Sequence, residues 1–176
     1  MQCNGFVSKR REPVIRSAVP ADAGELAKVF VAAWRQGYRG VVAADVLDAL
    51  DVDEWAGIFA ESLRAGDLTS IVWDEGAGAV LGFAIFGPDT ESPTNGYLAS
   101  LYVDPAASGR GIGMALLAEA LESLTTQGRR NVSLWVFTEN ERARKLYERV
   151  GFVATGEVTT DPRWRAPQVR YQRVAG

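Results

Sequence analysis

Histidine is absent from this 176-residue chain, and cysteine occurs once, as Cys3. Those two shortages remove every Ser-His-Asp or Cys-His nucleophile, every HExxH zinc site and every Cys/His metal cluster, so no metal is expected. Any proton transfer must run through Asp, Glu, Tyr, Lys or water. A basic excess is missing too: 19 Lys and Arg stand against 22 Asp and Glu, a net charge of -3, which argues against a nucleic-acid partner. No run approaches the ~18 apolar residues of a membrane span, and the opening MQCNGFVSKRREPV lacks the apolar stretch of a signal peptide. The expectation is a cytoplasmic protein with no membrane partner, in which Cys3 is an incidental thiol.

What is present is a core-forming composition, 47% hydrophobic, in a chain long enough for one domain that buries roughly 70% of its unfolded surface. Residues 1–12 are polar and basic and read as a flexible arm ahead of a single domain over 13–176. Val14 to Ser17 alternates as a short strand. Pro20 and Asp22 open a helix in which Leu26, Val29, Phe30, Ala33 and Trp34 recur at offsets of three and four, ending near Gly37. A second helical region, from about Ala43 to Leu63, carries six acids and no base. From Leu68 the period changes: Thr69 to Trp73 and Ala79 to Phe86 are apolar runs split by Asp74, Glu75, Gly76 and Gly78, a hairpin pattern. Tyr97 to Val103, apolar on both alternating faces, predicts a central strand stopped by Asp104 and Pro105. A helix with Leu116, Leu117, Ala120, Leu121 and Leu124 on one face follows. Then come a strand at Val132 to Phe137, a helix at Asn140 to Arg149, and strands at Phe152 to Thr155 and Val169 to Val174. This order predicts an α/β fold with a mixed central sheet flanked by helices.

Between the central strand and its helix lies Ser108-Gly109-Arg110-Gly111-Ile112-Gly113, with glycines at alternate positions. Such a loop can bring successive backbone N–H groups to an anion at a helix N-terminus, with Arg110 adding charge. A tight strand-to-helix turn would need the same glycines. A P-loop is excluded because no GxxxxGK followed by Ser or Thr occurs, and a dinucleotide fingerprint starting at Gly109 fails at Met114.

The run YLASLYVDPAASGRGIGMALL resembles the acetyl-CoA-binding segment of the GNAT N-acetyltransferase superfamily, where a strand, a Gln/Arg-x-x-Gly-x-Gly/Ala loop and a helix hold the cofactor pyrophosphate. Gly111 and Gly113 match the two small positions, and Ser108 stands where Gln or Arg is usual. The segment LWVFTENERARKLYERVGF resembles the family's second hallmark, at the expected distance downstream. At ~100° per residue, Asn140, Ala143, Arg144 and Tyr147 share one stripe of that helix, with Arg142, Lys145 and Arg149 projecting the other way. From the residues alone, Asn140 also reads as a helix N-cap and Tyr147 as a half-buried aromatic anchor.

The resemblance implies a mostly antiparallel sheet and acetyl-CoA as co-substrate. It implies that the backbone of Leu101, Tyr102 and Val103 lines the pantetheine and acetyl carbonyl, and that Ser108, Gly109, Arg110, Gly111, Ile112 and Gly113 cradle the pyrophosphate. Asn140 and Ala143 would lie along the pantetheine, and Tyr147 would face the thioester sulfur. The seven Lys and Arg from Arg110 to Arg149 would help hold the phosphates or serve as solvated helix faces.

The chemistry then has stated requirements. An alkyl ammonium of pKa ~10.4 costs roughly 4.6 kcal/mol to present as a neutral nucleophile at pH 7. A thiolate of pKa about 8.5 leaves more readily beside a phenol of pKa about 10, which suits Tyr147, and the amide of Val103 suits the oxyanion. Many relatives carry a glutamate just before the strand's Leu, and here that position is Tyr97. Glu91 and Asp89, acting through water, or bulk water alone, are the substitutes.

Trp34 and Tyr38, at the end of the first helix, are candidate walls for a small-molecule or peptide amine acceptor, or simply helix packing. Glu91 joins them as a candidate acceptor contact. The acids Asp45, Asp48, Asp51, Asp53, Glu54 and Glu61 point either to cationic acceptors such as polyamines, aminoglycosides or lysine-like amines, or to solvated helix faces. Rival readings are a cofactor-binding regulatory module without turnover, suggested by Ser108 and the missing glutamate, and a protein-interaction domain whose glycine loop is only a turn. A homodimer is common among similar proteins, although no long apolar surface demands one.

Overall fold

The computed structural model describes residues 12–76 and 78–174. The expected arm, Cys3 included, lies outside them apart from Glu12.

Among the described residues the helices are α1 (Ala23–Gly37), α2 (Ala44–Asp48), α3 (Val52–Ala65), α4 (Ile112–Thr126) and α5 (Glu141–Arg149). The strands are β1 (Val14–Ser17), β2 (Thr69–Asp74), β3 (Val80–Pro88), β4 (Gly96–Val103), β5 (Val132–Phe137), β6 (Val153–Thr160) and β7 (Pro167–Arg173). They form one sheet in the order β1-β2-β3-β4-β5-β7-β6, antiparallel except between β4 and β5. The expected mixed, mostly antiparallel sheet flanked by helices is therefore present.

Local chemistry sets the helix ends. The acidic stretch expected as one helical region divides at Leu50, because the Asp51 carboxylate accepts from the Glu54 amide at 2.9 Å and caps a new helix. Asn140 does the same for α5, accepting from the Ala143 amide at 3.1 Å. Asp22 opens α1 differently: it is buried, takes the Val19 amide, and pairs with Arg16, which also reaches Asp74 on β2.

Two apolar layers clamp the sheet. On one face, Leu116, Leu117 and Leu124 of α4 pack on Phe86, Leu98, Leu134 and Tyr171. On the other, Phe30 and Trp34 of α1 and Phe59 of α3 pack on Val72, Phe83 and Phe137. Fully burying one such Leu or Phe contributes roughly 1.5–3 kcal/mol, so both layers hold the sheet against α1, α3 and α4.

The feature that positions everything else is the junction of β4 and β5. The pairing between them is limited to Gly96↔Val132 and Tyr97↔Ser133, whereas β3 follows β4 along its whole length. One extra residue sits in β4 where Ile85 faces Ser100 and Phe86 faces Leu98, and a bulge of this kind bends its strand. Beyond it β4 and β5 separate. The central strand is thus fourth of seven as expected, but its second half is only half-buried, because one backbone edge faces a gap rather than a neighbour. At the far edge β6 is longer than its expected four residues, running Val153–Thr160 with every residue exposed. Its pairing with β7 sustains it where apolar alternation is lacking.

Candidate functional site

The gap between β4 and β5 opens into a cavity of about 800 Å³, within the ~300–1,000 Å³ usual for small-molecule sites. Three elements bring the expected residues to its wall. From β4 come Leu101, Tyr102 and Val103; from the loop into α4 come Ser108, Gly109, Gly111, Ile112 and Gly113; from α5 come Asn140, Ala143 and Tyr147. Tyr38 joins them from the end of α1.

The β4 edge is chemically active because of strand alternation. The Asp104 amide donates to Leu81 on the β3 side at 2.9 Å. In an antiparallel ladder the bonded positions alternate, so the amides of Val103 and Leu101, at non-bonded positions against β3, face the gap. The loop supplies a second set of donors. Gly111 is the N-cap of α4 with φ 82 and contributes no side chain to the cap. An L-residue pays a steric cost at that dihedral. The first-turn amides of α4 consequently have no side-chain acceptor and combine with the helix dipole into an anion-binding end. Gly113 answers a different need. A Cβ there would meet Val103 Cγ2 at 3.5 Å and Leu146 Cδ2 at 4.0 Å, ordinary contacts, so there is room for a Cβ, and a longer side chain would extend along the cavity wall.

α5 presents more of itself than the expected stripe. Arg142, Lys145, Leu146 and Arg149 line the cavity together with Asn140, Ala143 and Tyr147. Arg144 turns away, donating to Tyr171 Oη and the Thr138 carbonyl, each at 2.9 Å. The cavity wraps over about 200° of the helix at ~100° per residue, which is why three cations placed on the other side by the sequence reading line it after all.

Three expected contributors lie outside the wall. Arg110 is drawn off by an ion pair with Glu75, in the turn after β2. Trp34 sits behind Tyr38, ring centroids 4.7 Å apart, and packs against Trp164 at 4.1 Å. Glu91 holds Arg170 at 2.7 Å. Beside it Asp89, 4% exposed, accepts from Ser133 Oγ at 2.6 Å and from the Glu91 amide at 2.9 Å, and pairs with Arg170 at 3.1 Å. Burial alone would raise the Asp89 pKa, but these donors outweigh it and hold the carboxyl below its ordinary range. Two of the acids weighed as acceptor contacts have structural partners: Asp51 caps α3, and Asp45 pairs with Arg165 in the β6–β7 turn.

Trp164, from that same turn, was not singled out by the sequence. It closes an aromatic group in which Trp34 contacts Tyr38 and Phe137, and Phe30 contacts Trp55 at 4.0 Å. Nothing local in Asp-Pro-Arg-Trp-Arg marks this role, since it depends on a hairpin reaching back to α1.

Electrostatically the cavity's tyrosines are kept neutral. Burial pushes the phenols of Tyr147, Tyr38 and Tyr102 well above their ordinary value, with the neighbouring phenols as a further cause. Tyr97, beside Asp89, is also raised, mainly by burial. At physiological pH all four keep their protons, so they can donate hydrogen bonds but cannot serve as standing bases.

A strand that parts from its neighbour beside a glycine loop at a helix N-terminus is the candidate ligand site of this chain. The model of the Acetyltransferase (GNAT) family matches residues 22–152, and the chain belongs to this family of N-acetyltransferase enzymes. It is 30% identical over 148 residues to a probable N-acetyltransferase of Mycobacterium tuberculosis, covering 83% of each chain. It is 43% identical over 86 residues to mycothiol acetyltransferase of Beutenbergia cavernae, a match spanning 47% of this chain and 28% of that one. In fold it is similar to the PaiA N-acetyltransferase of Thermoplasma acidophilum, solved in complex with coenzyme A. That match has a TM-score of 0.74 at 18% identity and covers 93% of this chain and 99% of that one.

Proposed function

We propose that this protein is an acetyl-CoA-dependent N-acetyltransferase that moves an acetyl group to a primary amine of a small molecule or peptide by direct transfer in a ternary complex. The observation that carries the reading is the β4/β5 junction, where two residue pairs give way to a gap lined by free strand amides and the uncapped start of α4. The residues present fit the donor: an 800 Å³ cavity, amides for a pyrophosphate, and three α5 cations along its wall. A cytoplasmic location goes with that donor.

Acetyl-CoA supplies the acetyl group as an activated thioester. In this reading the Val103 amide holds the carbonyl oxygen as charge develops there. Tyr147, kept protonated by burial, delivers its proton to the departing sulfur as the C–S bond breaks and the new C–N bond forms. With Asp89 and Glu91 committed to Arg170, an ammonium acceptor first gives up a proton to water, or the acceptor arrives as the neutral amine; the proton its nitrogen sheds as the amide forms then returns, through water, to the Tyr147 phenolate. Measuring release of free CoA thiol across a panel of cationic and neutral amines tests the reading: acetyl-CoA-dependent release with at least one amine is expected. A protein that binds acetyl-CoA yet releases no thiol above the hydrolysis blank would be a regulatory module instead.

A further inference from the structure

Among the described residues, no carboxylate lines the cavity. Acids that could have served there are engaged elsewhere: Asp45 pairs with Arg165, Asp51 caps α3, and Asp89, Glu91 and Glu157 converge on Arg170. Asp48, Asp53, Glu54 and Glu61, on α2 and α3, are absent from the wall. The end of α1 brings Gln36 and Tyr38 to the cavity instead, and Tyr102 of β4 and Asn140 at the start of α5 join them. These four side chains, two carboxamides and two phenols, are uncharged hydrogen-bonding groups.

The phenols are held by their rings. Tyr38 packs on Trp34 at 4.7 Å and on Phe137 at 4.9 Å between centroids, and Tyr102 packs on Phe30 at 5.2 Å and on Phe83 at 5.6 Å. Their hydroxyls are close enough to shift each other's titration, and Asn140 acts on that of Tyr38. Burial keeps both protonated, so each can donate as well as accept. The Asn140 oxygen takes the Ala143 amide, which leaves its NH2 group to donate. A second ammonium on an acceptor would exchange water for these neutral groups with no carboxylate to pair with, and a charge taken out of water unpaired costs more than a neutral hydrogen bond returns. A hydroxyl or amide would exchange its water contacts for matching ones.

Resting on the acetyl-transfer reading above, we infer that the acceptor is a small monoamine whose remaining polar groups are uncharged hydroxyls or amides, selected by Gln36, Tyr38 and Tyr102. Polyamines and other acceptors with several cations, which the acids of α2 and α3 suggest at first sight, are selected against.

The test compares kcat/KM for an amino alcohol, a diamine and an amino carboxylate of one chain length, at saturating acetyl-CoA and with each rate referred to its neutral-amine fraction. The amino alcohol is expected to exceed the diamine at least about tenfold, the scale of one buried polar group left unpaired. Gln36→Glu should narrow that ratio about threefold, because its carboxylate can pair with the second ammonium at an exposed position. Tyr38→Phe, which keeps the ring packing, should lower kcat/KM for the amino alcohol about fivefold, the size of one hydrogen bond, and leave the diamine's value within twofold. A diamine or an amino carboxylate used as well as the amino alcohol overturns the inference. So does a ratio that neither variant moves, since Gln36 and Tyr38 would then select nothing. No thiol release with any of the three, or with the wider amine panel, would instead remove the transfer reading and this inference with it, an outcome distinct from turnover with the wrong preference.

Discussion

The two sides of the β4/β5 gap are built on different principles. On the α4/α5 side the recognition groups are largely backbone: amides along β4 and at the start of α4, with the α5 cations added at the rim. Toward α1 and the β6–β7 turn the groups are side chains, an aromatic group around Trp34 and, near Tyr97, carboxylates gathered on Arg170. A backbone site depends on dihedrals and helix ends, and the ligand it suits follows from that geometry. The opposite side depends on which side chains long-range packing brings together, so it can vary between relatives without disturbing the donor site. The α4/α5 side is therefore the half whose geometry constrains a ligand more tightly.

Three substitutions sharpen the contrast. The largest effect is expected from Gly113→Leu, whose side chain would occupy the wall between Val103 and Leu146. CoA affinity should fall at least about 100-fold, some 2.7 kcal/mol, while the melting temperature without ligand stays within a few degrees. A variant that unfolds would mean that the glycine serves packing instead.

Next comes Asp89→Ala on the other side, where Ser133 and Arg170 would lose a buried partner. About 2 kcal/mol of stability should be lost at pH 7 with CoA affinity unchanged, read by urea denaturation and titration. The pH dependence has a definite sign. A carboxylate whose folded pKa is depressed stabilises the fold above its unfolded value of about 3.9, and that stability disappears as pH falls through the lower folded value. The difference between the unaltered protein and the variant should thus be full at neutral pH and shrink below about pH 4. A difference that grows on acidification would contradict the arrangement.

The smallest change is Tyr147→Phe. Turnover should fall about tenfold, some 1.4 kcal/mol, with CoA affinity within about twofold, because the ring stays and only the proton-donating hydroxyl is removed. Since burial raises this phenol, the unaltered enzyme should show no loss of rate from its deprotonation up to about pH 10. Unchanged turnover in the variant would mean that another acid, or none, protonates the sulfur.

Much of the local structure on the α4/α5 side was legible in the sequence because its determinants are local. The alternate glycines mark a positive-φ N-cap, Asp104 and Pro105 stop β4, and Asn140 opens α5. What was not readable depended on distant partners. Arg110 looked like the loop's cation, but Glu75, 35 residues away, captures it. Arg142 seemed to project outward, since a single stripe was assumed where the cavity wraps over half the helix. Trp164 gave no signal because its position follows from a turn whose Arg165 reaches Asp45, 120 residues distant. Tyr97 stands where the resemblance implies a glutamate, which drew the sequence reading to Asp89 and Glu91. Periodicity, however, could not show that the nearby carboxylates are spent on Arg170 and Ser133.

The most direct measurement is the thermal unfolding of the unaltered protein across a range of acetyl-CoA concentrations, with Gly113→Leu alongside. A ligand that binds the folded state adds about 2.7 kcal/mol at one hundred times its Kd, so up to that concentration the midpoint of the unaltered protein should climb steadily while that of Gly113→Leu, still at or below its own Kd, scarcely moves. No shift in the unaltered protein at saturating acetyl-CoA, or an equal shift in both, would show that the β4/β5 gap is not the acetyl donor's site.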